Sequence, residues 1–377
     1  MKEHKLKIMT FIGTRPEIIR LSRTMALLDK YLNQVIVHTG QNYDYELNEV
    51  FFKDLDLRKP DYFLGIDTSS LESSVAGIIL KSGEILRKET PDAVLVLGDT
   101  NSCLAAYMAK RLHIPIFHME AGNRSFDLNV PEETNRRIID HIADFNLVYT
   151  EHARRHLLSE GLPHRQIYLT GSPMREVLNF YSPKINQSNI LSQLGIEKNK
   201  FFVISTHREE NVDNPVNLKR VLFVLDKLSA EYKLPVIVST HPRTRKRIEN
   251  SGDLNFNSNI KFLKPFGFLD YIFLQQNATC TISDSGTISE ESSILGFPAI
   301  SMRQSMERPE AQDCGSIILT GFDPDVILNS ISLVIKEQNE RKVFSIPPDY
   351  QIEDTSWRVV KLIIGNTKLA NLWNGIS

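Results

Sequence analysis

Two apolar runs, Asp92–Leu97 and Ile114–Phe117, flank a helical stretch, Asn101–Leu112. A strand, a helix and a second strand in that order form a crossover unit, whose strands lie parallel and often adjacent, about 5 Å apart. The residues after both strands then emerge from one edge of the sheet. Here they are Gly98-Asp99-Thr100 and His118-Met119-Glu120-Ala121-Gly122-Asn123-Arg124. Asp99 and Glu120 thus share a crevice of the kind in which open α/β sheets carry their chemistry. Two carboxylates so placed can take a proton on one side and return one on the other. Helix capping is the competing reading, and Asp99, standing before a helix, suits it.

The alternation extends over the whole chain. Strand-like runs occur at Lys7–Ile12, Gln34–Thr39, Ala93–Leu97, Pro115–His118, Phe145–Tyr149 and Ile167–Thr170, with amphipathic segments between them. A polar stretch rich in Asn, Ser and Lys, Asn179–Gly195, reads as a linker. The pattern restarts at Phe201–Ser205, Pro235–Ser239, Ile260–Leu263, Ala278–Ser283 and Pro298–Met302. A length of 377 residues exceeds what one core comfortably serves. We therefore expect an α/β chain of two Rossmann-like, doubly wound domains facing across a cleft, at residues 1–178 and 196–352. Residues 353–377 hold a helix, with apolar spacing over Trp357–Trp373, that packs back on the first domain.

A net charge of −2 gives no general attraction to nucleic acid or acidic membrane. Three cysteines without a CxxC pattern fit a reducing compartment. No apolar run reaches membrane-spanning length, and the polar start leads directly into a strand. A cytoplasmic protein is expected, with no nucleic-acid or membrane partner.

Gly13-Thr14-Arg15-Pro16-Glu17 follows the first strand. Thr14, Pro16 and Glu17 fit a helix start with a capping box, which leaves Arg15 as an anion contact or a surface residue. Thr279–Ser283, Asp284-Ser285-Gly286 and Thr287–Leu295 read as strand, tight loop and helix. Ser285, Gly286 and the helix N–H groups form a nest suited to a diphosphate. Thr287 and Glu290 fit a second capping box, and Glu291 is left to hold ribose hydroxyls. His207, beside Arg208, and His241 end strands, where phosphate contact competes with capping or a place at the core edge. His118 alternates with Glu120, so both are expected on one strand face. Glu132 and Glu133 open a further helix; one carboxylate suffices for the dipole and the other can reach the cleft. No His, Cys or carboxylate spacing gives a closed metal-ligand set, and no G-x-G-x-x-G fingerprint for a dinucleotide is present.

The motifs GTRPEIIRLS, TGQNYD, LGDTNS, HMEAGNR, VPEETNRR, THREENVDN, SDSGTISEES and MERPEA, in this order, resemble the non-hydrolysing UDP-N-acetylglucosamine 2-epimerase family. The resemblance runs from about Ile8 to past Arg308. It implies a glycosyltransferase-B-like fold with a sugar nucleotide between the domains and no cofactor or metal. It also implies that Asp99, Glu120 and Glu132 are acid/base carboxylates. Arg15, His207, Ser285, Gly286 and Arg308 would hold phosphates or sugar, Glu291 the ribose, and Phe266 and Tyr271 the uracil; His207 also joins the catalytic set, Arg20, His241 and Thr287 join the binding set, and a homodimer is expected. Arg20 stands where the glucosamine enzymes usually have Lys, Thr287 replaces a Gly and Asn123 a Leu. Asn123–Pro131 is short, and the His241 region lacks a Tyr-Pro-Val-His sequence. This combination looks like the branch that converts UDP-2-acetamido-2,6-dideoxy-L-talose to UDP-N-acetyl-L-fucosamine for capsule or O-antigen. UDP-N-acetylglucosamine 2-epimerisation is the alternative. A glycosyltransferase of the same fold, a hydrolysing epimerase and a sugar-nucleotide sensor are the competing classes.

Overall fold

The computed structural model describes residues 5–40, 51–206, 214–240, 257–340 and 345–376. The chain divides into two units, residues 1–180 with 348–377, and residues 181–347. Each is built on one parallel sheet.

The first unit has seven strands: β1 (Lys7–Ile12), β2 (Asn33–His38), β3 (Tyr62–Phe63), β4 (Ala93–Leu97), β5 (Ile116–Ala121), β6 (Phe145–Val148) and β7 (Ile167–Leu169). Their order across the sheet is β3-β2-β1-β4-β5-β6-β7. All five residues of β4 are buried, as expected for a strand covered by helices on both faces. The chain winds outward from β1 to β3 and then returns to lay β4 on the other side of β1. The order reverses between β1 and β4, and a crevice opens there at the carboxyl ends of the strands.

The second unit repeats this logic with six strands: β8 (Phe202–Ser205), β9 (Val236–Ser239), β10 (Ile260–Leu263), β11 (Cys280–Ser283), β12 (Ala299–Ser301) and β13 (Ile318–Leu319). The order β10-β9-β8-β11-β12-β13 puts its reversal between β8 and β11. Both sheets thus agree with the doubly wound expectation. The edge strands β3 and β13 carry only two residues each, too few for any periodic signal.

The helix Arg15–Tyr31 buries Ile18, Leu21, Met25 and Leu28, spaced three and four apart. The last helix, Thr355–Trp373, belongs to the first unit. Its Thr355 hydroxyl lies 3.2 Å from the carbonyls of Thr170 and Ser172, and the Ser356 N–H donates to Glu176 at 2.8 Å. The Trp357 ring lies tilted against Tyr31, with centres 5.3 Å apart, and Val359, Val360 and Ile363 are buried.

The stretch Asn179–Gly195 is not an extended linker. Helices Met174–Ile185 and Ile190–Leu194 cover most of it. Its polar residues alternate with Tyr181, Ile185 and Ile190, which are buried. Ile190 and Ile196 pack with Phe201, Val203 and Leu274, so the segment is a layer of the second unit.

Two glycines with left-handed backbone separate steric from conformational need. Gly122 (φ +80°) follows β5, and a Cβ there would lie 2.4 Å from the carbonyl oxygen of Ala153. Gly195 (φ +63°) ends the helix Ile190–Leu194 with nothing within 4 Å of such a Cβ. Gly195→Ala should cost about 1 kcal/mol, from the backbone conformation alone. Gly122→Ala should cost about 3 kcal/mol, because a backbone atom cannot yield cheaply. Equal losses in denaturant melts of the two variants would contradict this close packing after β5.

Candidate functional site

Three loops converge on the reversal in the first unit. The first, after β1, begins the helix Arg15–Tyr31. The carboxylate of Glu17 accepts hydrogen bonds from the backbone N–H groups of Gly13 and Thr14. Arg15 stands half-buried, its guanidinium 5.3 Å from the centre of the Phe51 ring. Arg20, one turn further along, is buried and forms an ion pair with Glu120.

The second loop follows β4. Gly98 takes φ +72°, which turns the chain so that Asp99 leaves the sheet edge. Asp99 Oδ2 accepts from Arg136 Nε at 3.0 Å and also from Arg136 Nη2. Asn135 Nδ2 donates to the Asp99 carbonyl and to Asn101 Oδ1, both at 3.0 Å. Asp99 is therefore paired with a guanidinium supplied by the helix Pro131–Ile142 rather than spent on a cap.

The third loop begins inside β5. Glu120 has φ +67°, a left-handed conformation that is uncommon for a residue with a Cβ. The pairing of β5 with β6 shifts register between Met119 and Ala121. This bulge re-aims the Glu120 side chain. Its Oε2 would be 3.6 Å from a Cβ on Gly98, so the carboxylate rests directly over the residue before Asp99. Arg20 Nη1 binds Oε2, and Asn123 Nδ2 approaches Oε1 at 3.4 Å. The Glu120 carboxylate thus lies against the turn that carries Asp99, at the sheet edge foreseen from the crossover unit.

The bulge also overturns the expected alternation of His118 with Glu120. His118 is fully buried. Its Nε2 donates to the Gly98 carbonyl at 2.8 Å, and its Nδ1 lies 3.0 Å from Asp140 Oδ1.

Of the two acids opening the helix Pro131–Ile142, Glu133 is buried and holds the preceding loop. It accepts from the N–H and hydroxyl of Ser125, each at 3.0 Å, and from Arg136 at 2.8 Å. Burial disfavours its charge, yet the Ser125 donors and the Arg136 charge outweigh that and keep its pKa below the usual range. Glu132 beside it is half-exposed.

In the second unit, the loop after β11 begins at Asp284, which is buried and accepts from Thr206 Oγ1 at 3.0 Å across the reversal. Ser285 and Thr287 share a hydroxyl contact of 2.9 Å, with Gly286 between them, ahead of the helix Ile288–Leu295. The capping box expected here is absent. The Thr287 hydroxyl turns to Ser285, while Glu290 pairs with Arg308, which also donates to the Gly286 carbonyl at 3.1 Å. An ion pair made by a distant arginine has displaced the local motif. Glu291, expected to be unengaged, is buried and accepts from Gln275 Nε2 at 2.9 Å.

Phe266 and Tyr271 are half-buried and pack on the cluster around Phe201. The Tyr271 hydroxyl is enclosed beside Ser205 and Ser283; burial first, then the Glu291 charge, drives its pKa upward. Only its ring offers a surface. His207 and His241 lie outside the described residues.

Several supporting residues escaped the motif reading. Arg136, the partner of Asp99, stands four residues after Glu132, a spacing visible in the sequence but equally typical of surface pairs. Arg303 and Glu307 form a buried fork with two 2.6 Å contacts in the loop that leads to Arg308. Among the described residues no group of His, Cys, Asp and Glu is arranged to hold a metal ion. No helix among them is long and apolar enough to cross a membrane.

The geometry is that of two arginine-paired carboxylates at one sheet edge of the first unit, and of a Ser285-Gly286-Thr287 turn ahead of a helix in the second. Known proteins are similar to this chain over nearly its full length. A family model described as UDP-N-acetylglucosamine 2-epimerase matches residues 26–364. The solved structure of UDP-N-acetylglucosamine 2-epimerase from Rickettsia bellii is 47% identical, with TM-score 0.91 and 98% of each chain covered. A structure of the Methanocaldococcus jannaschii UDP-GlcNAc 2-epimerase in complex with UDP-GlcNAc and UDP has TM-score 0.88 and 32% identity, over 95% of this chain and 99% of that one. UDP-2,3-diacetamido-2,3-dideoxy-D-glucuronate 2-epimerase from Pseudomonas aeruginosa is 35% identical over 331 residues, 86% of this chain and 91% of its own. The chain belongs to the UDP-N-acetylglucosamine 2-epimerase family.

Proposed function

We propose that the protein is an isomerase that inverts C2 of a UDP-2-acetamido sugar by eliminating and re-adding UDP. The observation that carries this reading is the contact of the Glu120 carboxylate with Gly98, beside an Asp99 held by Arg136. C2–H of such a sugar has no adjacent carbonyl, so a free carbanion is too costly. Removal of the C2 proton as the C1–O bond breaks places the electron pair in a C1=C2 double bond and releases UDP. Return of a proton to the opposite face of C2, with attack of a UDP oxygen on C1, completes the inversion. This scheme needs acid/base groups on both faces and firm stabilisation of the departing diphosphate.

Asp99, Glu120 and Glu132 are the acid/base groups in this reading. Arg15, Ser285, Gly286, Arg308 and His207 hold the phosphates or sugar, Arg20, Thr287 and His241 belong to the same binding set, and Glu291 holds the ribose. The rings of Phe266 and Tyr271 lie by the uracil. Arg20 fixes Glu120. The enzyme acts without metal or nicotinamide, as a cytoplasmic homodimer that supplies capsule or O-antigen synthesis.

For the substrate, the departures at Arg20, Asn123 and Thr287 from the glucosamine enzymes' pattern support the deoxy-L-talo compound. Arg20 and Asn123 both contact Glu120, and Thr287 contacts Ser285. The names of the R. bellii and M. jannaschii relatives favour UDP-N-acetylglucosamine, the second reading. The P. aeruginosa relative acts, by its name, on a third 2-acetamido sugar, so family membership leaves the sugar open.

Asp99→Asn and Glu120→Gln should each lower turnover by about 100-fold or more while UDP affinity holds. Collapse of UDP affinity with turnover preserved at saturation would mark these carboxylates as binding groups only. EDTA and added NAD should leave the rate unchanged; activity lost to EDTA and restored by a divalent cation would contradict the metal-free scheme.

With the two sugar nucleotides compared by kcat/KM in deuterated buffer, the 6-deoxy-L-talo substrate should be preferred. Burying an unpaired C6 hydroxyl costs roughly 1–3 kcal/mol, a preference of about 10- to 200-fold. Deuterium should appear at C2 of the product. Equal or better use of UDP-N-acetylglucosamine selects the second reading, and product without deuterium counts against elimination.

A further inference from the structure

In the sequence Glu17 is half of a capping box, a role that occupies one carboxylate oxygen. The structure gives the other oxygen a partner on a different loop. Oε2 accepts from the N–H groups of Gly13 and Thr14, closing the turn that presents Arg15. Oε1 accepts the hydroxyls of Thr100 and of Ser102, the latter at 2.9 Å, in the loop that follows Asp99. The residue is only 2% exposed. No Lys, Arg or His among the described residues pairs with it, and burial drives its pKa up despite the four donors. A helix start can be capped from the surface at no such desolvation cost. A cap alone therefore leaves the burial of this carboxylate unexplained.

We propose that Glu17 is a positioning residue, which locks the loop carrying Asp99 to the turn carrying Arg15 across the reversal of strand order. It touches no reacting atom and acts through Asp99, so the inference rests on the assignment of Asp99 as an acid/base group. Glutamine provides a conservative replacement. Its amide oxygen can face the two N–H groups and its NH2 the two hydroxyls, which rotate to accept. Alanine makes none of these contacts.

The test uses the full chain with Glu17→Ala, Glu17→Gln, Asp99→Asn, the double variant Glu17→Ala/Asp99→Asn, and Thr100→Val/Ser102→Ala. The last removes the Asp99-side contacts and leaves the helix start intact. Epimerisation is followed by NMR for kcat and KM, alongside thermal midpoints. Glu17→Ala should lose about 100-fold in kcat, the scale of a misplaced reacting group, with KM within about threefold. Glu17→Gln should recover to within about fivefold of the parent, and Thr100→Val/Ser102→Ala should reproduce the loss. Adding Glu17→Ala to Asp99→Asn should cost nothing more, because both act through one carboxylate. Multiplying losses in the double variant, a Gln variant as poor as Ala, or full kcat in Thr100→Val/Ser102→Ala overturns the proposal. If Glu17→Ala is unfolded at the assay temperature, the Thr100→Val/Ser102→Ala result decides. Full activity of Asp99→Asn instead overturns the assignment on which the proposal rests.

Discussion

Parallel strands cannot be joined by a hairpin, so each connection must cross the sheet and return to the same starting edge. Every strand then ends at the opposite edge, and every loop that leaves a strand is delivered there. In the first unit that constraint gathers the loops after β1, β4 and β5, although β2 and β3 stand between the first two in the sequence. The reversal between β1 and β4 leaves a gap that no crossover helix fills. Arg15, Asp99 and Glu120 owe their proximity to this topology before any side chain makes a contact. The same constraint in the second unit brings Thr206 at the end of β8 against Asp284 at the end of β11.

Within the crevices, charge is buried in pairs. Arg20 with Glu120, Arg136 with Asp99 and Glu133, and Arg308 with Glu290 are all largely withdrawn from water. Such pairs contribute little net stability, since desolvation offsets most of their attraction. Stability comes instead from the apolar clusters on the sheet faces, such as Met9, Val94, Val96 and Ile116 in the first unit. What the pairs provide is orientation. A guanidinium fork holds a carboxylate in a defined plane, and a group that must exchange protons with one carbon needs that definition. The left-handed backbone at Glu120 fits the same pattern of local strain retained at a site by its surroundings.

Much of this architecture was legible in the sequence, because strands buried on both faces read as apolar runs between amphipathic helices. The proximity of Asp99 and Glu120 followed from a single crossover unit. What stayed hidden was set by contacts between distant residues. The bulge at Glu120 leaves no mark in residue type, so a simple alternation put Glu120 on the face of His118. Thr287 and Glu290 match a capping box, yet Arg308 competes for Glu290 and wins. The other capping glutamate, Glu17, is also a bridge, and only the fold brings Thr100 and Ser102 to it. The polar stretch Asn179–Gly195 resembled a linker because its apolar residues are few, although they are spaced to bury one face.

Cleavage of the bond between C1 and the bridging oxygen of UDP, with UDP retained for re-addition, is the central claim. Positional isotope exchange tests it directly. A substrate carrying 18O only in the C1–O–P bridge is incubated with the enzyme, and the recovered sugar nucleotides are read by 31P NMR. Free rotation of the β-phosphate between elimination and return predicts that the label spreads to the non-bridging β-phosphate oxygens as epimerisation proceeds. Inversion at C2 with the label confined to the bridge would contradict the account.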